Sequence, residues 1–316
     1  MIAVAELRQV LDVAVAVIQR EDGRVLLAQR PAGKPWEGYW EFPGGKIESG
    51  ESADQALARE LHEELGVDLD RVYPWVTQEY AYPEKRVRLH FYRVLAWHGQ
   101  PHGREGQGMS WENPAAINIG PLLPANDKVL RALSLPSVYA ITNARKYGEV
   151  EFMQRLKAAL EKGVRLIQVR EHEMPPEQLE SFSRRVVTLA HEYDARVLIN
   201  SDETLARRCG ADGVHLPSEH LMRLKQRPGT RIWAASCHDA AELAQAARLS
   251  ADFVVLSPVL PTLTHPDAAG MGWGKFAGFV NNYPLPVYAL GGMKRELLDT
   301  AMKHGAHGVS LLSGIW

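Results

Sequence analysis

The stretch GGKIESGESADQALARELHEELGV, residues 44–67, reads as a glycine turn running into a helix. At roughly 100° per residue, Ala53, Leu57, Leu61 and Leu65 recur at every fourth position and form a stripe that must face a core. Ser52 or a neighbour can cap the helix start, and Gly66 is placed to end it. Glu63 fits a solvated face. Glu64 does not, because it lies about 20° from Leu57 on the helical wheel, in the half expected to be buried. An unpaired carboxylate there costs several kcal/mol. Glu60 sits at the edge of the same stripe. Acids so placed are tolerable beside a cation. Ligands that are all oxygen point to a hard divalent ion, and Mg²⁺ keeps waters and takes substrate phosphates into its shell. The PGGK turn lets a backbone carbonyl approach the same ion. A charged surface helix with one misplaced acid is the competing reading.

The 316 residues suit two domains, each large enough for its own core. Hydrophobic content of 46% with 23% charged residues is that of a globular protein. A formal charge of −2 gives no basic footprint for a nucleic-acid polymer, whereas a free nucleotide held through a metal needs none. Cys209 and Cys237 lie in no CxxC spacing, which fits buried thiols in a reduced, cytoplasmic setting. Glu6, Arg8 and Asp12 interrupt the apolar N-terminal stretch, so neither a signal peptide nor a membrane span is expected. Oligomeric state is not legible from the residues.

Outward from the helix, residues 11–19 and 23–30 read as strands joined in a hairpin by Glu21-Asp22-Gly23, and residues 86–97 read as a third strand. A helix set among such strands makes this half α+β. After LSLPS (133–137) short apolar strands alternate with helical segments, at 138–142, 164–170, 196–200, 212–216, 231–236, 252–258, 286–292 and 307–313. Eight such strands predict a (β/α)8 TIM barrel. The sequence ends soon after the eighth, so the final outer helix is expected to be missing or supplied by another segment. The expected domains are 1–134 and 136–316.

Gly45, five residues, Glu51, seven residues, then Arg59-Glu60-Leu61-His62-Glu63-Glu64-Leu65-Gly66-Val67 resembles the Nudix hydrolase box at all of its specified positions. The resemblance implies a sandwich of sheet and helices that hydrolyses a nucleoside diphosphate linked to another group, using Mg²⁺, with Mn²⁺ able to substitute. Within that family the first half is similar to the MutT branch, which removes 8-oxo-dGTP from the nucleotide pool. AQRPAGKPWEGYWEFPGGKIE before the helix and PANDKVL (124–130) after it carry the likeness. It implies a nucleotide contact at Arg30, a base pocket along Glu41, Phe42, Pro43 and Gly44, and a base-reading amide at Asn126. It further implies metal ligation by Gly44, Glu60, Glu63, Glu64 and Glu105. The histidine that the MutT pattern places before the box is Pro35 here, so that contact is absent or replaced.

The resemblance implies water attack on the β-phosphorus, giving a nucleoside monophosphate and pyrophosphate. Glu60 and Glu105 are the candidate bases, Glu63 and Glu64 are ligands, and Arg59 orients a carboxylate. Structural alternatives stand beside several of these roles: Phe42 as a core aromatic, Arg30 as a surface cation, Asn126 as a helix N-cap.

Most of 138–316 is similar to thiamine phosphate synthase and its TenI relatives, through IQVRE (167–171), LIN (198–200), GADGVHL (210–216), SPVLPTLTHP (257–266), ALGGM (289–293) and GAHGVSLLSGI (305–315). Gly291, Gly292, Ser313 and Gly314 stand where this architecture often binds phosphate, although glycine pairs are also plain turn residues. Where the synthase pattern has metal-binding aspartates this sequence has Ser201 and His220, and where it has lysines it has His172 and His265. The barrel is therefore expected to be incompetent as a synthase. A hydrolase of thiamine-related diphosphates, or one regulated by a barrel that senses a thiamine phosphate, are the alternatives.

Overall fold

The structure, a computed structural model, describes residues 10–83, 85–261 and 269–316. The chain falls into two compact units: residues up to Ser134 with Asn281–Pro284, and Leu135–Val280 with Leu285–Trp316.

The first unit contains β1 (Val10–Ile18), β2 (Val25–Gln29), β3 (Trp40–Glu41), β4 (Gly44–Lys46), α1 (Ala53–Leu65), β5 (Asp68–Ala81), β6 (Arg86–His98), β7 (Met109–Glu112) and α2 (Asp127–Leu133). Its organising strand is β1, which pairs antiparallel with β4 and parallel with β6 in the order β4-β1-β6-β5. Alternation along β1 sends Ala14, Ala16 and Ile18 to one face, against Ala56, Leu57, Leu61 and Leu65 of α1. Val15 and Val17 point to the other, with Phe91 and with Val129, Leu130 and Ala132 of α2. Both faces of the sheet are thus covered, one by each helix.

Gln55 Oε1 accepts from Ser52 N at 2.9 Å at the start of α1, and Gly66 closes it at φ 68°. Ala53 is only half-buried, so the core stripe of the helix is Ala56, Leu57, Leu61 and Leu65. Glu64 is likewise half-buried, because it lies in the last turn, where a loop rather than the sheet covers the helix.

The expected hairpin is corrected. Its turn exists, with Gly23 at φ 84° and Gly23 N donating to Arg20 O at 3.0 Å. Beyond the Gln19–Val25 bridge, however, the two strands part. Both edges of β1 are taken by β4 and β6, so β2 joins a separate sheet, β3-β2-β7. The long strand β5 gave no sequence signal, since it is an edge strand that carries Pro74 and many charges.

All eight expected strands of the second unit form: β8 (Val138–Ile141), β9 (Leu166–Val169), β10 (Arg196–Asn200), β11 (Gly213–Leu216), β12 (Ile232–Cys237), β13 (Phe253–Leu256), β14 (Val287–Ala289) and β15 (Gly308–Leu311). Each pairs in parallel with the next, and β15 with β8, in a closed barrel. Helices α3 (Ala144–Tyr147), α4 (Glu149–Glu161), α5 (Pro176–His191), α6 (Glu203–Cys209), α7 (Ser218–Arg223), α8 (Ala240–Arg248), α9 (Gly272–Val280) and α10 (Leu298–Lys303) alternate with them. The inside is plugged by Tyr139, Phe253 and Tyr288, whose ring centroids lie 5.1–5.8 Å apart. Outward residues such as Ile167, Val197 and Ile199 meet Phe152 of α4 and Phe182 of α5. Residues 312–316 form no helix. Instead Trp316 packs 4.9 Å from Phe152 and donates its Nε1–H to Ile141 O at 2.8 Å. No described helix is long and apolar enough to cross a membrane.

Phe253 is fully buried in the barrel plug. Phe253→Ala is expected to cost about 3–5 kcal/mol of barrel stability. Denaturant unfolding of the full chain checks this, and a loss below about 1 kcal/mol would mean that the plug does not hold the barrel.

Candidate active site

Two close backbone approaches shape the turn ahead of α1. A Cβ on Gly44 would stand 2.1 Å from Ala14 O, and one on Gly45 would stand 2.0 Å from the Glu60 carboxyl carbon. The glycines therefore seat the turn against β1 and leave the Glu60 carboxylate a cradle that any side chain would fill. Pro43 is buried, and its carbonyl accepts from Ala16 N at 2.8 Å.

Arg59 ties this corner together. Its guanidinium grips Glu51 through Nε at 2.9 Å and Nη2 at 3.0 Å, and meets Glu60 at 2.9 Å, Glu63 at 3.3 Å and Lys46 O at 3.1 Å. The guanidinium holds the Glu51 carboxyl below its ordinary value. Glu51 was legible as a position of the box, but its partnership with Arg59 was not. Glu63 is exposed, and its one described ion pair is with Arg59.

Loop 102–107 brings Glu105 to the helix. The last carbonyls of α1 lack intrahelical partners, and this loop supplies them. His102 N donates to Leu65 O at 3.1 Å, Arg104 N to Glu64 O at 3.0 Å, and Arg104 Nη1 to His62 O at 2.9 Å. The Arg104 cation also suits the negative end of the helix dipole. Glu105 pairs with Lys34 at 2.7 Å. Lys34 was not singled out in the sequence, because a lone lysine in a turn-rich loop has no periodic signature.

Burial raises the Glu64 carboxyl to about 7, and the charges of Glu60 and then Glu105 push it the same way, against an opposing pull from Lys34. The three carboxylates thus share one electrostatic space. Among the described residues no three acidic, histidine or cysteine groups stand in metal-ligating geometry, since Glu60 is turned to Arg59 and Glu105 to Lys34. The oxygen-only donor set, the Gly45 cradle and the mutual repulsion at Glu64 nonetheless fit a hard divalent cation.

The residues expected to meet a nucleotide lie along β3 and the segment bridged to it. Arg30 pairs with Glu41, and its Nε donates to Pro35 O at 2.7 Å. Burial pushes the Glu41 carboxyl up while the Arg30 guanidinium pulls it back. Phe42 is 3% exposed and packs edge-on to Phe91 at 6.3 Å, so its ring belongs to the core. Asn126 is 4% exposed and occupies the N-cap position of α2 without capping it. Its Nδ2 donates instead to Trp40 O at 3.2 Å, which ties the 124–126 turn to β3.

At the carboxyl ends of the barrel strands, Gln168 Nε2 donates to Asn200 Oδ1 at 3.0 Å, and His215 lies between Tyr139 OH at 3.2 Å and Ser236 Oγ at 2.9 Å. Burial drives the His215 imidazole down to about 3, so it is neutral. A cavity of about 640 Å³ opens beside β8 and β9, lined by Thr142, Arg145, Lys146, Arg170, Glu171 and His172 among others. Glu171 is spent on the backbone N–H groups of Ala144 and Arg145. Arg170 N donates to Thr142 Oγ1 at 3.0 Å, and its guanidinium has no hydrogen-bond or ion-pair partner among the described residues. Burial, then Arg170, lowers the His172 imidazole.

Gly291 and Gly292 do not line this cavity. They adopt φ 99° and 66° under loop 258–261, where a Cβ would stand 2.9 Å from Pro258 and 2.7 Å from Leu260. Close packing therefore requires both. Ser313 and Gly314 are exposed. Ser201 Oγ accepts from Asn200 Nδ2 at 2.8 Å, Asp202 caps α6 through Leu205 N at 2.8 Å, and His220 is exposed on α7. His265 lies outside the described residues.

The first unit thus joins a glycine turn and an acid-bearing helix to a sheet covered on both faces, and the second is a closed parallel (β/α)8 barrel. Residues 9–133 match the NUDIX domain family and residues 138–315 the thiamine monophosphate synthase (TMP-TENI) family. The chain belongs to both: it is a Nudix hydrolase fused to a TMP-TENI barrel. It is 38% identical over 126 residues to the 8-oxo-dGTP diphosphatase of Haemophilus influenzae, covering 40% of this chain and 93% of that protein. It is 39% identical over 124 residues to the CTP pyrophosphohydrolase of Escherichia coli, covering 39% and 91%. It is 32% identical over 183 residues to the thiamine-phosphate synthase of Desulfitobacterium hafniense, covering 57% and 88%.

Because the folded state raises Glu64 from the ordinary 4.5 to about 7, it holds that proton more tightly than the unfolded chain does. The stability this contributes is complete below about pH 4.5 and is lost as pH rises through about 7. In chelator the drop in melting temperature from about pH 5.5 to about pH 8 should be smaller for Glu64→Gln than for the parent chain. Identical drops would contradict the shared field of Glu60, Glu64 and Glu105.

Proposed function

We propose that residues 1–134 form a Mg²⁺-dependent nucleoside triphosphate pyrophosphohydrolase that converts 8-oxo-dGTP to 8-oxo-dGMP and pyrophosphate. It would act in the cytoplasm on the nucleotide pool and so limit mutation. The observation that carries the reading is the half-buried Glu64 facing Glu60 and Glu105 behind the Gly45 turn. Glu60, Glu63, Glu64, Glu105 and the Gly44 carbonyl would hold Mg²⁺, with Mn²⁺ able to substitute. When bound, the ion supplies positive charge against the triphosphate and acidifies water. Arg59 keeps Glu60 and Glu63 from splaying apart. Glu60 or Glu105, released from Arg59 or Lys34, accepts the proton of the attacking water. Asn126, whose Oδ1 accepts no hydrogen bond from the described residues, offers an acceptor to a purine edge. The diphosphatase relative supports the oxidised purine as substrate, while the CTP pyrophosphohydrolase relative marks the pyrimidine alternative.

Turnover of 8-oxo-dGTP, dGTP, CTP and thiamine diphosphate by the full chain tests this. The oxidised purine should be the preferred substrate, and Glu64→Gln should remove at least about two orders of magnitude in rate while the fold is kept. Retention of more than about a tenth of the activity would rule out Glu64 as an essential ligand. Faster turnover of thiamine diphosphate would replace the substrate reading.

We further propose that residues 136–316 bind a phosphorylated ligand without synthase turnover. The cavity beside the unpaired Arg170 guanidinium supports binding. Ser201 and His220, the neutral His172 and the commitment of Asp202 to capping α6 support the lost chemistry. The full chain supplied with hydroxymethylpyrimidine diphosphate, thiazole phosphate and Mg²⁺ should form no thiamine phosphate above background. Formation of that product would overturn the proposal.

A further inference from the structure

Four aromatic residues that no motif brought together meet in one half-buried cluster beside the Arg30–Glu41 pair. Trp36 lies edge-on to Tyr39 at 5.1 Å and 5.6 Å from Tyr82, and Tyr80 lies 4.6 Å from Tyr82. Two segments distant in sequence, 36–39 and 80–82, supply the rings.

Trp36 also adopts an unusual backbone conformation. Its φ is 62°, in the left-handed region where a bulky non-glycine residue is an outlier, and such strain concentrates at ligand-binding sites. The loop around it is closed by built-in contacts. Arg30 Nε donates to Pro35 O at 2.7 Å, Gly38 N to Arg30 O at 3.1 Å, Tyr39 N to Trp36 O at 3.1 Å and Gln29 Nε2 to Gly38 O at 3.1 Å. Arg30 is thereby engaged in presenting the loop as well as in pairing with Glu41.

The cluster also adjoins the other residues expected to meet a nucleotide. The Tyr82 hydroxyl lies in the fields of Glu41 and Arg30. Trp40, between Tyr39 and Glu41, carries the carbonyl that holds Asn126. Phe42, the aromatic expected to face the base, is enclosed in the core instead. A nucleobase bound beside Asn126 therefore gains no stacking face from Phe42.

We propose that Trp36, backed by Tyr39 and Tyr82, is the face on which the nucleobase stacks, while Asn126 reads its edge. This rests on the nucleotide-hydrolase reading. It assigns Arg30 a positioning role, since the guanidinium fixes the loop that carries the indole. Stacking on an aromatic face tolerates any base, so Trp36 sets affinity for nucleotides as a class and leaves the choice among bases to hydrogen bonding.

The test compares Trp36→Phe with Trp36→Leu in the full chain. Both fill the space with apolar atoms, and only phenylalanine keeps a π face. KM for nucleoside triphosphates should rise about ten-fold in Trp36→Leu, with the loss on KM rather than kcat, and should stay near the parent value in Trp36→Phe. Calorimetric binding of the nucleoside monophosphate should weaken in parallel, whereas inorganic pyrophosphate, which has no base, should bind both variants as it binds the parent chain. Melting temperatures confirm that each variant is folded. If both variants match the parent, or if Trp36→Leu loses nucleotide and pyrophosphate equally, the stacking role is overturned while the hydrolase reading stands. A parent chain that neither binds nor turns over any nucleotide overturns both.

Discussion

The half-buried Glu64 carboxyl, set in the field of Glu60 and Glu105, is the constraint that the surroundings of α1 must answer. Burial of the Glu64 carboxyl, reinforced by the charges of Glu60 and Glu105, pushes it toward protonation. The surroundings answer with cations and with space. Arg59 neutralises Glu60 and anchors Glu51, Lys34 meets Glu105, and Gly45 removes the one side chain that would occupy the Glu60 cradle. The helix is positioned for this by ordinary packing, with Leu57, Leu61 and Leu65 on the alanine-rich face of β1. Core packing on one face and concentrated charge on the adjoining face are thus two consequences of a single helix.

The barrel shows the converse arrangement. Its scaffold is intact, with aromatic residues plugging the interior and helices α4 and α5 covering the outside. At its strand ends, several polar groups are already bonded to one another or to the backbone. His215 is satisfied by Tyr139 and Ser236, Gln168 by Asn200, and Asp202 by the first turn of α6. These groups hold structure, whereas the Arg170 guanidinium has no described hydrogen-bond or ion-pair partner at the cavity beside β8 and β9. Membership of the family does not by itself fix the chemistry, because the fold depends on the apolar alternation and the chemistry on a few polar positions at the strand ends.

Much of this was legible in the sequence because it obeys a short period. The three-leucine stripe of α1 and the eight barrel strands follow local alternation, and each appears where the alternation places it. The misreadings have one physical origin: local signals do not state which partner a strand takes. The turn at Glu21-Asp22-Gly23 is present, yet β1 and β2 enter different sheets because β4 and β6 already occupy both edges of β1. β5 escaped notice as a charged edge strand. The glutamates of α1 were readable from the helical wheel, whereas Glu105 depended on a loop that caps carbonyls of a distant helix. Lys34 and the cluster around Trp36 depended on long-range contacts with no spacing rule. Phe42, equally compatible with a pocket and a core, lies in the core.

Calorimetric titration of Mg²⁺ into the full chain near pH 7, in two buffers of different ionisation enthalpy, measures the claim about the three carboxylates most directly. Loading a cation among them should expel the proton that repulsion and burial hold on Glu64. The account therefore predicts proton release on binding that is absent in Glu64→Gln. Binding without proton release, or equal release by the parent chain and by Glu64→Gln, would contradict it.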